Sequence, residues 1–272
     1  MHAYKHFVLQ ALGLDSSKPM KPLLAFAALL CAFSAHAENM TIVAAADLKF
    51  AMDELVVNFK KSNPNDAVVV TYGSSGQFYT QIQQGAPFDM FFSADIGFPR
   101  ELAKAGLAAG TPKPYAFGRI VLWSSTMDAT KMTLESLADP KIDRIAIANP
   151  KHAPYGKRAE EALRAVGVWD KVQSKLVFGE NIAQTAQYVS TGNAQIGIVA
   201  LSLALNSELT SKGGYWLIPD KLHQPLEQGY VITKHAESNV TAKRFADYMS
   251  SKPARAVMTK YGFVLPEDAS GK

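Results

Sequence analysis

Two short corners carry the most specific chemistry in the chain: Ala44-Ala45-Ala46-Asp47 and Gly73-Ser74-Ser75-Gly76. Each closes an apolar run that reads as a buried strand and opens an amphipathic run that reads as a helix. Backbone N–H groups at a helix start have no intrahelical acceptor and stand at the positive pole of the helix dipole. Two such ends aimed at one cleft can hold an oxyanion without lysine or arginine. Capture rather than reaction is the chemistry this implies. Taken alone, Gly73–Gly76 is equally well a tight turn with a serine cap. Three further corners shift the balance: Asn149-Pro150-Lys151-His152-Ala153-Pro154-Tyr155-Gly156, Gly179-Glu180-Asn181-Ile182 and Ala200-Leu201-Ser202, each set between a strand-like and a helical run.

Enzymatic patterns are weaker. The chain has no G-x-S-x-G elbow, P-loop, H-E-x-x-H or G-x-G-x-x-G pattern, so its serines lack the setting of a nucleophile. His152, His223 and His235 are far apart and lack metal-ligand spacing,. Only His152 sits at a corner, which leaves a secreted hydrolase or transferase built on His152 and Ser75 as an alternative. Asp95 at a strand-to-helix junction reads as a cap. Trp123, Trp169 and Trp216, with Phe78, Phe88, Phe91 and Phe92, read as core. Arg119, Arg144 and Arg158 could clamp a carboxylate, but none lies in a ligand-facing corner,.

The elements that must position these corners alternate between strand and helix from Met40 onward, the pattern of parallel βαβ units. The first series predicts strands at 40–45, 67–72 and 87–92, with helices after Asp47, after Gly76 and up to Lys104; Asp47 caps the first of them,. The second predicts strands at 119–123, 144–148, 175–178, 195–200 and 215–218, with helices at 155–166 and 182–190. A strand at 228–233 returns to the first unit, and helices at 241–250 and 253–261 close the chain. In open α/β sheets ligands bind beyond the carboxyl ends of the strands, where all these corners fall. The expected architecture is therefore α/β with two lobes, each a mainly parallel sheet flanked by helices. Residues 38–118 and 229–272 would form lobe I and 119–228 lobe II, with hinges near Gly118 and Gly229.

The chain has 272 residues, 48% of them hydrophobic and 19% charged, enough to bury the cores of such lobes,. Residues 20–37 depart from this composition: Met20-Lys21 precede the apolar run from Leu23 to Phe33, and Ala35-His36-Ala37 is a small-x-small cleavage site. They read as a secretory signal peptide following an upstream extension, with the mature chain starting near Glu38. The single cysteine, Cys31, lies in that run, so no disulfide is expected,. Removal of residues 1–37 takes Lys5, Lys18 and Lys21 together with Asp15 and lowers the formal charge from +4 to +2, which is no nucleic-acid signature,.

The segments Thr41 to Leu48, Tyr72 to Gly76, Gly85 to Asp89 with Phe92 to Asp95, Asn149-Pro150 with Ala153 to Gly156, and the closing Lys260-Tyr261-Gly262-Phe263 resemble, in this order, the periplasmic molybdate-binding proteins of bacterial ABC importers,. The resemblance covers residues 40 to 265. It implies a two-lobed type II periplasmic binding fold that closes on molybdate or tungstate, uses no cofactor, performs no reaction and delivers its cargo as a monomer to a membrane permease. The family's ligand positions fall at Asp47, Ser75, Ala153, Ile182 and Ala200. Two depart from its pattern: a serine is usual at Asp47, and often a tyrosine at Ala200. Tyr155 or Ser202 could replace the missing hydroxyl. An ionised carboxylate only accepts hydrogen bonds and repels a dianion. Asp47 therefore turns away to cap its helix, or is protonated, or accepts a proton from a ligand such as hydrogen phosphate. The first is favoured by the N-cap preference of aspartate, and the last keeps phosphate or sulfate open as the ligand.

Overall fold

The computed structural model describes residues 39–206 and 214–269. The signal peptide, the upstream extension and the start at Glu38 lie outside the described residues. Among the described residues, ten strands form two five-stranded sheets. The first contains β1 (Asn39–Ala45), β2 (Ala67–Gly73), β3 (Met90–Ser93), β4 (Lys113–Gly118) and β10 (Leu226–Ile232) in the order β2-β1-β3-β10-β4. The second contains β5 (Ile120–Trp123), β6 (Ile145–Ala148), β7 (Leu176–Gly179), β8 (Ile196–Ala200) and β9 (Tyr215–Leu217) in the order β7-β6-β8-β5-β9. In each sheet one strand runs against the others, β10 in the first and β5 in the second. The expected α/β architecture of two mainly parallel sheets is observed.

The first sheet is covered by α1 (Lys49–Ser62), α2 (Ser75–Gln83) and α3 (Gly97–Lys104). The second carries α4 (Pro154–Ala165), α5 (Trp169–Val172), α6 (Ile182–Ser190) and α7 (Leu201–Ala204), and α8 (Val240–Met249), α9 (Lys252–Lys260) and α10 (Pro266–Ala269) end the chain. Alternation along β1 divides the first lobe's core. Met40, Ile42 and Ala44 pack with Leu55, Phe59, Phe245 and Met258 on one face. Val43 packs with Phe78, Phe91 and Leu102 on the other. The second core is built around Ile120, Trp123, Ile147, Ile198 and Leu163, and it takes in Ala45, Ala46 and Ala94 from the ends of β1 and β3. Alanine at those three strand ends lets one lobe pack directly on the other.

Several boundaries differ from expectation for local reasons. β3 starts at Met90 rather than at residue 87, because the Asp89 carboxylate takes the Thr41 N–H at 2.6 Å and the Thr41 hydroxyl at 2.7 Å. β4 was hidden by Pro114, which reads as a loop signal but is tolerated on a sheet edge, where β4 lies,. Asp47 does not cap α1. Ala46–Leu48 forms a short 3-10 turn without a side-chain cap, and α1 starts only at Lys49. The first crossing between sheets is immediate, from Gly118 to Ile120, and the second lies between Leu217 and Leu226, so Gly229 is inside β10 and not at a crossing.

Helix α4 fixes the second lobe's central corner by close approach to the sheet, since a Cβ at Gly156 would collide with the Ala148 carbonyl group. Gly156→Ala is expected to destabilise the fold by about 2 kcal/mol or more, as overpacking against unyielding backbone does. Urea denaturation would measure it, and wild-type stability in this variant would mean that α4 can slide along β6.

Candidate functional site

Strand direction determines what meets between the lobes. The carboxyl ends of β1, β2 and β3 lead into Asp47, Ser75 and Ala94, and those of β6, β7 and β8 lead into the Asn149–Ala153 turn, Asn181-Ile182 and Ser202. A small chamber there, with a cavity volume of about 10 Å³, is lined by Ala45, Ala46, Asp47, Gly73, Ser74, Ser75, Ala94, Ala153, Pro154, Tyr155 and Ile182. Its lining carries no lysine, arginine or histidine. Its polar character comes from hydroxyls, backbone and one carboxyl group.

Asp47, Ser75, Ala153, Tyr155 and Ile182 thus share one chamber. Ser75 and Ile182 are the first residues of α2 and α6, where an N–H has no intrahelical acceptor,. The Ser75 hydroxyl accepts from the Ala94 N–H at 3.0 Å, which leaves its own proton free to point at a ligand. Asn181 caps α6 through the Ala183 and Gln184 N–H groups. The Ala153 N–H is already engaged, donating to the Asn149 carbonyl at 2.9 Å. Ala200 and Ser202 are not part of the lining. Ala200 is fully buried at the end of β8, opposite Ile120. Ser202 donates across the interface to the Asp47 carbonyl at 2.8 Å.

The Asp47 side chain points into a network that spans the lobes. Its Oδ2 accepts from the Tyr155 hydroxyl and from Gln228 Nε2, both at 2.9 Å. Gln228 Nε2 also donates to Tyr155 Oη at 3.0 Å, and Gln228 Oε1 accepts from the Tyr115 hydroxyl at 2.7 Å. The protons of Tyr155 and Ser202 are therefore donated to Asp47. Asp47 is only 1% exposed. Burial, partly offset by the bonds from Gln228 and Tyr155, pushes its carboxyl up to about 6,. Burial also holds the Tyr115 and Tyr155 phenols well above their usual range, so both stay neutral.

Gln228 and Tyr115 were missed by sequence reasoning. Gln228 was placed at the start of a strand without a role, although a glutamine in an otherwise apolar buried run was a usable signal. Tyr115 was hidden with β4. Gly118 completes the set: a Cβ there would run into Tyr155 Oη and Gln228 Nε2, so glycine makes room for the network.

A second set of bonds joins the corners after β2 and β6. The Gly76 N–H donates to the His152 carbonyl at 2.9 Å, and the Ser74 hydroxyl donates to the same oxygen at 2.5 Å. His152 Nδ1 lies 2.9 Å from Ser74 Oγ and Nε2 lies 3.5 Å from Glu180. Because the Ser74 proton is taken by the carbonyl, Nδ1 acts as donor to Ser74, the reverse of a base activating a nucleophile. The arginines are held elsewhere: Arg158 by Glu161 at 2.5 Å, Arg119 by Asp220 at 2.8 Å.

Two mainly parallel sheets enclosing a chamber at their facing carboxyl ends define a two-lobed solute-binding protein. Residues 40–264 match the family model of the bacterial extracellular solute-binding proteins, and the chain belongs to that family. It is 36% identical over 244 residues to the molybdate-binding protein ModA of Azotobacter vinelandii, covering 89% of this chain and 96% of that one. With the molybdate-binding protein ModA of Rhodobacter capsulatus it shares 38% identity over 199 residues, 72% of this chain and 77% of the relative. Among solved structures, the Azotobacter vinelandii periplasmic molybdate-binding protein superposes with a TM-score of 0.79 at 33% identity, over 84% of this chain and 99% of that one.

The raised carboxyl gives a pH-dependent stability. Asp47 takes its proton more readily folded than unfolded, so its contribution is fully present below the unfolded value of 3.8 and is lost as pH rises through about 6,. In Asp47→Asn the amide oxygen can accept from Tyr155 and Gln228 as Oδ2 does. Without added anion this variant is expected to gain up to roughly 3 kcal/mol over wild type above the folded value and nothing below the unfolded one. Urea denaturation at both ends of the range would check this, and a pH-independent difference would refute it.

Proposed function

We infer that this chain is the periplasmic receptor of an ABC importer and that it captures molybdate or tungstate in the interlobe chamber for delivery to a membrane permease. The observation that carries the reading is the cation-free chamber at the first turns of α2 and α6, with the Ser75 hydroxyl among its lining. The named molybdate-binding relatives support the same cargo. Contacts in this reading go to the anion's oxygens: the hydroxyl and N–H of Ser75, and the N–H groups of Asp47 and Ile182. Neutral donors in a closed, dry site act more strongly than in water, because local dielectric is low and no solvent competes. Sulfate has the same charge and shape as molybdate, so selection against it falls to chamber size.

The chain acts as a monomer that binds and releases without reaction. Under this reading lobe I is residues 38–118 together with the chain after the second crossing, and lobe II is the segment between. Closure is a hinge motion at 118–120 and 218–225, and ligand favours the closed state. The clasps Gly76 to His152, Tyr155 to Asp47 and Ser202 to Asp47 are bonds that such a closure makes. Asp47 gives hydrogen phosphate a specific claim as a second ligand, because that anion can donate a proton to a carboxylate. Against a ligand with no proton, an ionised carboxylate about 4 Å away costs about 4 kcal/mol per unit charge at an intermediate dielectric.

Isothermal titration calorimetry with molybdate, tungstate, sulfate and phosphate tests the reading. One-to-one binding of molybdate and tungstate is expected, and binding of phosphate alone would replace the cargo. Ser75→Ala is expected to weaken molybdate binding by about 1.5–3 kcal/mol, the loss of a hydrogen bond to a charged group. Unchanged affinity would remove Ser75 from the site.

A further inference from the structure

The two carboxyl oxygens of Asp47 have different surroundings. Oδ2 accepts from two side-chain donors, Tyr155 Oη and Gln228 Nε2, and the backbone N–H groups of Asp47 and Leu48 also favour the ionised carboxyl. Oδ1 is buried and has no hydrogen-bond partner, in a residue that lines the chamber. A buried polar atom left in this way marks a missing partner. Asp47 is among the residues lining the chamber, and an anion bound there under the proposed function would bring an oxygen as that partner. Two acceptors, however, can meet only with a proton between them.

We propose that Asp47 is the proton-carrying ligand residue of this receptor: one proton is shared between Oδ1 and an oxygen of the bound tetrahedral dianion, so each dianion captured takes up one proton from solvent. In the balance, an Asp47 carboxylate, a dianion and a solvent proton become a carboxyl group donating its O–H to the anion, and no other bond forms or breaks. The inference rests on the oxyanion-receptor reading above.

The surroundings allow it from every side. The titratable groups facing Asp47 are the phenols of Tyr115 from β4 and Tyr155 from α4, both held neutral by burial. Gln228 from β10, Ser202 from α7 and Ser75 from α2 carry no charge. With no cation among the lining residues to offset an ionised carboxylate, uptake of a proton is the means left to remove its charge,. The pair Tyr155 and Gln228 fixes which oxygen keeps the proton: both donate to Oδ2, leaving Oδ1 for the O–H. The closed lobes also hold the carboxyl in place, since Ser202 anchors its backbone carbonyl from the opposite side.

The test is calorimetric titration of the full chain with molybdate at about pH 7.5 in two buffers of different ionisation heat, which counts protons taken up on binding. About one proton per site is expected, with Kd rising about tenfold per pH unit above neutrality. Asp47→Asn, whose amide nitrogen replaces the O–H donor, is expected to bind with no proton uptake and a flat pH profile. Wild-type binding without uptake would overturn the proposal and leave the receptor reading intact. Uptake that persists in Asp47→Asn would overturn it as well, by assigning the proton to another group. Failure of molybdate, tungstate, sulfate and phosphate all to bind, at any pH, would remove the receptor reading and the proposal with it.

Discussion

A carboxyl group cut off from water must find its hydrogen bonds inside the protein, and Asp47 finds them by reaching across the lobes. Tyr155 comes from the second lobe, Gln228 from the strand that returns to the first, and Ser202 holds the backbone behind the carboxyl. Tyr115 completes the chain of bonds from the edge strand. The contacts of Tyr155 and Ser202 with Asp47 therefore join the two sheets at one residue. Buried networks of this kind gain from low dielectric only when their members are satisfied. Here one atom, Oδ1, stands outside the accounting, in a residue that lines the chamber.

The topology makes this possible through one reversed strand in each sheet. Because β10 runs against β3 and β4, its first residues, including Gln228, lie beside the carboxyl ends of the parallel strands. Because β5 runs against β8, the chain can leave β4 at Gly118 and enter the second sheet at Ile120 with almost no connection. Helix starts, strand ends and both crossings therefore gather in one layer between the cores. Small residues keep that layer thin: Ala45, Ala46 and Ala94 let the lobes touch, and Gly118 leaves room for the hydroxyl and amide that meet above it.

Charge is used sparingly in that layer. The protein holds Arg158 and Arg119 in ion pairs away from the lining and presents the chamber with hydroxyl and peptide donors instead. Neutral donors leave no strong charge to desolvate when the site is empty and no fixed cation to hold any passing carboxylate. Asp47 is the one carboxylic acid among the lining residues, and the Tyr155 phenol beside it stays neutral.

The sequence by itself determined the alternation of strands and helices, the corners after Ala45, Gly73, Ala148, Gly179 and Ala200, and the place of Asp47, Ser75, Ala153, Tyr155 and Ile182 at the corners that line one chamber. These are local properties: period of apolar residues, capping chemistry and turn residues act within a few positions of the chain. It misread what Asp47 does, because capping preference is a local tendency and the competing donors, Tyr155 and Gln228, are more than a hundred residues away in sequence. It missed β4, since Pro114 looks like a break until its strand is known to lie on an edge. Only the tertiary structure decided that the Tyr155 and Ser202 hydroxyls donate to Asp47, and that the Ala153 N–H is engaged in its own turn. A hydrogen bond is assigned by which acceptor lies within 3 Å of a donor, and across two lobes that distance is set by strand direction and packing, which no single segment encodes.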